Sequence, residues 1–261
     1  MVDFLELVLL GSFAGFTIFL GLPVVLMGIS DRARGFLNAF AVGILMFLIV
    51  DVFSHAWDQT TAAAVSASQG TGSMGSALTD LVLMFGGITL GLLGLVVYER
   101  SYMGKGQNTV EPTKVSTMTA LGIGAHNLSE GLAIGQSFAF GVVGLGIVLV
   151  VGFAAHNTTE GFGITAPLAG LEPKPKVSFL AKVLFIGGVP TLIGTLLGSI
   201  AYSPEAYIFF LALAGGALVY VTMLMFNTGR RRYSSSLMMG GIFLGLCLGF
   251  LTDLIVTLGG A

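Results

Sequence analysis

Eight long apolar stretches, separated by short polar ones, divide the chain. Each supplies the run of about 20 mostly apolar residues that a helix needs to cross the hydrocarbon core of a bilayer. The pattern predicts an all-α membrane protein with eight transmembrane helices, built as a single domain over residues 1–261. The predicted spans are 4–27, 36–57, 78–98, 117–139, 142–168, 178–201, 205–227 and 236–258.

The basic residues predict how these spans are oriented. All 11 lysines and arginines fall on one side of the predicted membrane, and the opposite side carries acidic residues and no basic one. Positively charged loops stay in the cytoplasm, so this side is predicted to be the inner one, with both termini outside. The basic residues are Arg32, Arg34, Arg100, Lys105, Lys114, Lys174, Lys176, Lys182, Arg230, Arg231 and Arg232.

Composition agrees with a membrane protein and excludes several other classes. Hydrophobic residues make up 55% of the chain and charged residues 9%, against about 25% charged residues in soluble domains. The basic residues lie in short loops, where they set topology, so no nucleic-acid partner is expected. The single cysteine, Cys247, excludes an intrachain disulfide and a thiolate metal cluster. The first apolar stretch lacks a basic leader and is predicted to be a spanning helix rather than a cleaved signal.

The longest predicted outer loop covers residues 58–77. It is rich in Ala, Ser, Gly and Thr, and on this composition we expect it to be mobile.

The predicted fourth and fifth spans carry the same polar pattern, A-H-N-x-x-E-G, at 125–131 and 155–161. The two copies hold two of the chain's three histidines. On a helix, residues four apart share a face and the following residue lies beside them. Each copy therefore presents an imidazole, an amide and a carboxylate as one cluster inside the membrane. The residues are His126, Asn127 and Glu130 in the first copy and His156, Asn157 and Glu160 in the second.

Two carboxylates at this depth need an electrostatic partner. An ionised side chain at the centre of a spanning helix costs about 2.5–3.5 kcal/mol, and neither span contains Lys or Arg. A bound divalent cation supplies the missing charge, and imidazole nitrogen with carboxylate or amide oxygen suits Zn²⁺, Mn²⁺ and Fe²⁺. Interhelical hydrogen bonding is the alternative. It explains a lone Asn better than six such residues in a duplicated pattern.

A second polar set lies toward the predicted outer side. Asp51 and His55 share a face of the second span, and Asp253 lies near the outer end of the eighth. Acidic groups along an entrance raise the local concentration of cations, so we interpret these three as further metal-binding candidates. Helix capping and contact with the membrane interface are the alternative roles.

The duplicated H-N-x-x-E-G motif on the fourth and fifth of eight spans resembles the ZIP (Zrt/Irt-like) family of metal transporters. The resemblance implies passage of Zn²⁺, Fe²⁺, Mn²⁺ or Cd²⁺ into the cytosol through a site between these two helices. It implies that the six motif residues are the ligands, and that Asp51 and His55 occupy metal-capable positions at the end of the second helix. Val189 stands where many relatives carry a glutamate before proline, so the choice between one ion and two is left open.

These expectations define a transporter rather than an enzyme, with Zn²⁺ as the foremost cargo and no cofactor besides the metal. Short loops without a histidine cluster resemble small prokaryotic members, which implies a multi-pass protein of the cell (inner) membrane. Glycine-rich helix faces permit a homodimer. The main alternative function is an intramembrane metal-dependent hydrolase, although the H-E-x-x-H pattern of many such enzymes is absent.

Overall fold

The computed structural model describes residues 2–27, 29–102, 111–200 and 203–258, and these are almost entirely helical. Lys105, one of the basic residues behind the predicted orientation, lies outside them. The helices are α1 (Phe4–Phe16), α2 (Leu22–Leu26), α3 (Asp31–Ser68), α4 (Met74–Tyr102), α5 (Pro112–Ala139), α6 (Val143–Thr165), α7 (Val177–Ile200), α8 (Pro204–Arg232) and α9 (Ser235–Leu258).

Within the described residues, seven helical segments are long and apolar enough to cross a membrane, with α1 and α2 counted together as one. The remaining long helix, α5, has 28 residues, ample for a bilayer at 1.5 Å per residue. It is less apolar than α6, which carries the same motif, because it also contains Lys114, Gln136 and several Ser and Thr residues. The prediction of an all-α protein with many membrane-spanning helices is therefore confirmed.

The first span is interrupted by a 3₁₀ turn over Thr17–Gly21. Gly21 lies against the backbone of Gly161 on α6, so closely that a Cβ at either position would overlap the other segment. The hydroxyl of Thr165 donates to the Gly21 carbonyl oxygen at 3.0 Å. The interruption thus frees a backbone acceptor that α6 satisfies, and it fixes the first span against α6.

The outer loop predicted over 58–77 is helical for most of its length, so the predicted loop bounds were wrong. Helix α3 continues to Ser68 and α4 begins at Met74, so only five residues separate them. The run after Trp57 is rich in alanine, the strongest helix former. The hydroxyls of Thr60 and Thr61 bond to carbonyls one turn back, so the polar side chains are satisfied without leaving the helix.

The helices form two groups by their closest packing. In the first group, α5 packs against α7, and α1 and α6 lie beside them. In the second group, α8 packs against both α3 and α4, and α9 packs against α3. Small residues allow the tightest approaches, since a Cβ at Gly131 would overlap the Thr191 carbonyl and one at Gly91 would overlap the Leu213 carbonyl. Helices α5 and α6 also contact α8 and α3, so they lie where the two groups meet.

Candidate metal centre

Both copies of the polar motif lie midway along their helices and are buried. The exposed fraction is 8% or less for all six side chains, and it is 1% for Glu160 and zero for Asn127 and Asn157. The predicted juxtaposition of the two helices is present, because α5 and α6 pack against each other with the motifs facing inward. The sequence pattern thus places six polar side chains in the interior of a molecule whose surface is largely apolar.

Glycine and hydroxyl residues of the motifs support the site from behind. Because Gly131 has no side chain, the backbone of α7 approaches it to contact distance, and the backbone of the interrupted first span approaches Gly161 in the same way. Ser129 donates to the His126 carbonyl at 2.6 Å, and Thr159 donates to the His156 carbonyl at 2.7 Å. These hydroxyls are satisfied within their own helices, which leaves the imidazoles and carboxylates as the groups that face one another.

Three of the motif residues form a group that could hold a metal ion. His126, His156 and Glu160 each offer one ligand atom, and these atoms lie within 4.8 Å of one another. Two ligands of a tetrahedral zinc ion, each about 2.1 Å from it, stand about 3.4 Å apart. Side-chain movements of about 1 Å would therefore bring all three into coordination. Glu130 adjoins the group, with its Oε1 atom 3.2 Å from His126 Nε2.

Several atoms of this group are buried without a hydrogen-bond partner. They include both carboxylate oxygens of Glu160, Oε2 of Glu130 and Nε2 of His156. Glu160 approaches His126 Nε2 at 3.8 Å, which is beyond hydrogen-bond distance. Burying acceptors in this state is costly, and a cation among them offsets the cost. The chemistry of the donors, two imidazoles and two carboxylates, fits a divalent transition metal.

The two motif asparagines bond to each other. The Asn127 amide nitrogen donates to Asn157 Oδ1 and, at 3.0 Å, to the Gly187 carbonyl oxygen of α7. This pair ties α5 to both α6 and α7 immediately beside the metal-binding group. Asn157 Oδ1 already accepts a hydrogen bond from the protein, while Asn127 Oδ1 has no partner.

A cavity of about 300 Å³ joins the motif residues to the outer polar set. Asp51, His55 and Asp253 line its walls together with His126 and Glu130, and no described Lys or Arg is among its lining residues. His55 Nδ1 lies 3.4 Å from Asp51 Oδ1, as the spacing of four residues predicts. The sequence therefore anticipated residues at both the mouth and the floor of this cavity.

Further polar residues line the cavity and were missed from the sequence, Gln136 and Tyr207 among them. Gln136 lies on α5 beyond Glu130, and Tyr207 lies near the start of α8. The position of Gln136 within an apolar run was a usable signal. Tyr207 resembles any aromatic residue at a membrane interface, so nothing in the sequence distinguished it.

The chain is similar to zinc transporters of known sequence. The sequence model of the family described as "ZIP Zinc transporter" matches residues 98–257. Zinc transporter ZIP10 of Mus musculus and that of Homo sapiens are each 32% identical to the chain over 111 residues, or 42% of its length. The Danio rerio protein of the same name is 30% identical over the same length. The matched region spans 13% of each relative, so these relatives are much longer than the chain.

The family match covers well over half of the chain and includes both polar motifs and the helices that carry them. It also includes α7, α8 and nearly all of α9, which supply Gly187, Tyr207 and Asp253 around the motifs. The chain belongs to the ZIP family of zinc transporters.

Proposed function

We propose that this protein carries divalent transition-metal ions across a membrane, Zn²⁺ first among them, and holds each ion at the buried group of His126, His156 and Glu160. The observation that carries the proposal is the mutual approach of these three ligand atoms within 4.8 Å in the membrane interior. Membership of a transporter family agrees with it. The same membership argues against an intramembrane metal-dependent hydrolase.

Glu130 completes the proposed ligand set, because its Oε1 atom is the closest carboxylate oxygen to His126. Four nitrogen and oxygen ligands suit Zn²⁺ best and admit Fe²⁺, Mn²⁺ and Cd²⁺. The asparagine pair holds the two ligand helices at a fixed separation, with Asn127 Oδ1 free to reach the ion. Val189, in place of an acidic residue, leaves a second ion without a carboxylate on α7, so we propose a single ion.

The cavity of about 300 Å³ is the proposed entrance. An ion attracted by Asp51 and Asp253 at its mouth exchanges water for protein ligands as it moves toward Glu130 and His126. With the basic loops in the cytoplasm, this entrance faces outward and transport is directed into the cytosol. The proposed location is therefore a cell membrane.

Uptake by reconstituted protein tests this function. The protein is placed in liposomes, and entry of Zn²⁺, Cd²⁺ and Mn²⁺ is followed in parallel for the wild type and for Glu160→Ala and Glu130→Ala. Saturable uptake by the wild type and background uptake by both variants are expected. Glu172→Gln, which removes an exposed carboxylate far from the cavity, serves as the matched control and keeps full uptake. No uptake of any ion by correctly inserted wild-type protein would contradict the proposal.

A further inference from the structure

A second, smaller cavity lies at the other end of the helices that surround the metal centre. Its volume is about 70 Å³, and it is lined from α3, α5, the turn after α6, and α8. The larger cavity is lined by the same helices, through Asp51, His126, His156 and Tyr207. The two cavities therefore lie toward opposite ends of the same helices. The lining of the smaller one includes Arg34, Asn38, Val115, Pro167, Thr228 and Gly229.

Apolar side chains separate the two cavities. Ile123 on α5, Ile164 on α6 and Val221 on α8 belong to one hydrophobic cluster and are fully buried. Met118 and Met225 belong to the same cluster nearer the small cavity and are also fully buried, and the Met225 carbonyl accepts a hydrogen bond from Asn38. An ion at the metal centre therefore has no open route toward the small cavity in this structure.

Arg34 closes the far side of the small cavity. Its side chain is only 15% exposed, its Nη1 atom lies 3.2 Å from an Asp31 carboxylate oxygen, and its Nη2 atom donates to the Gly170 carbonyl at 3.1 Å. The third guanidinium nitrogen, Nε, is buried without a partner. A guanidinium remains protonated in proteins. Arg232 lines the same cavity and lies 3.5 Å from the same Asp31 carboxylate, so the two arginines and one aspartate leave a net positive charge beside the small cavity.

The backbone conformation of Gly170 and its lack of a side chain both suit its contact with Arg34. Gly170 has a φ angle of +64°, in the left-handed region that residues with a Cβ rarely adopt. A Cβ at this position would also overlap the Arg34 guanidinium. Arg34 lies in the first turn of α3, in one packing group, whereas Gly170 follows α6 of the other group. The contact therefore joins the two groups at the end of the molecule opposite the larger cavity.

From this geometry we infer that Arg34 bars the exit of the metal path, and that its contact with Gly170 opens when an ion leaves. The inference rests on the proposed transport function. The guanidinium repels a divalent cation approaching through the small cavity, and it holds the two helix groups together where they must part. A departing ion can pass only after the guanidinium has moved away from the Gly170 carbonyl.

Cysteine accessibility tests the barrier without requiring transport. In a Cys247→Ser background, Val115→Cys places one thiol in the wall of the small cavity, where the native side chain is 3% exposed. The purified protein in detergent is treated with a charged, water-soluble thiol reagent. Arg34→Ala and, separately, Gly170→Ala are each expected to increase the labelling rate at least tenfold, because each removes the contact from a different side.

Two controls separate the barrier from general loosening. Arg32→Ala removes an exposed arginine of the same helix turn and should leave the rate unchanged. Ala133→Cys places a thiol in the wall of the larger cavity. Its labelling rate should be the same with native Arg34 and with Arg34→Ala. If Arg34→Ala does not fold, the labelling rate at position 115 in Gly170→Ala tests the barrier instead.

Unchanged labelling at position 115 in folded variants would overturn the barrier. Equal acceleration at positions 115 and 133 would do the same, since it would indicate loosening of the whole bundle. Failure of wild-type Zn²⁺ uptake would instead overturn the transport function and leave the labelling result intact.

Discussion

At the scale of single residues, the proposed metal centre is defined by buried polar atoms that have no hydrogen-bond partner in the protein. Both carboxylate oxygens of Glu160 and Nε2 of His156 are buried without a hydrogen-bond partner. Burying each such group without a hydrogen-bond partner costs about 1–3 kcal/mol. A cation that contacts several of them offsets this cost when it binds. The motif spacing was sufficient to predict these residues. It did not predict that Asn127 and Asn157 bond to each other, because their contact depends on how two separate helices are rotated.

Replacement of Glu160 by glutamine tests the role of its charge. At a Zn²⁺ concentration about 100 times the Kd, binding raises the free energy of unfolding by about 2.7 kcal/mol. Thermal unfolding in detergent should show this rise for the wild type. Glu160→Gln retains the size of the side chain but loses the charged ligand, so most of the rise should disappear, while Glu172→Gln should retain it. A full zinc-induced rise in Glu160→Gln would show that the ion binds elsewhere.

At the scale of helices, hydropathy located the spans well and their ends less well. The prediction for the second span stopped at residue 57, where apolar residues become scarce, but α3 runs to Ser68 because its alanine-rich extension is a good helix former outside the membrane as well. The 3₁₀ turn over Thr17–Gly21 was not predicted either. Pro23, two residues after the turn, cannot donate to the helical ladder and favours a break here, but the contact with Gly161, 140 residues later in the chain, could not be read from the local sequence.

Glycines at helix contacts provide a test at this scale. Gly131→Ala places a methyl group against the Thr191 carbonyl of α7, so we expect it to lower the free energy of unfolding by about 1–3 kcal/mol, as overpacking does elsewhere. Gly86→Ala is the matched control, because nothing lies within 4 Å of a Cβ added there. That variant should be neutral or slightly stabilised. The free energies of unfolding of the two metal-free variants are compared by denaturation in detergent. Equal values would contradict the close packing of α5 against α7.

At the scale of the whole molecule, two features emerge only from the folded chain. One is the cavity that links Asp51, His55 and Asp253 to the motif histidines. The other is the contact between Arg34 and Gly170, which are 136 residues apart. The residues of the first could be suspected beforehand, since polar residues recur near the outer ends of several spans. Arg34 could not be distinguished from ten other basic residues, each of which served equally well to predict orientation.

Neutralising the mouth of the larger cavity tests its role as an entrance. The double variant Asp51→Asn, Asp253→Asn should raise the KM for Zn²⁺ uptake several-fold, because fewer cations are drawn to the opening. The maximal rate should change less, since the central ligands are intact. Asp58→Asn, at an exposed position outside the cavity lining, should leave both parameters unchanged. An unaltered KM in the double variant would show that ions enter by another route.

The central claim is that one divalent ion is held among His126, His156 and Glu160 inside the membrane. Anomalous diffraction at the zinc edge, from crystals of the protein grown with Zn²⁺, tests this position directly. The account predicts one strong peak per chain within coordination distance of these three side chains, and no such peak in crystals of Glu160→Ala. Zinc found only at surface carboxylates, with no density between α5 and α6, would contradict it.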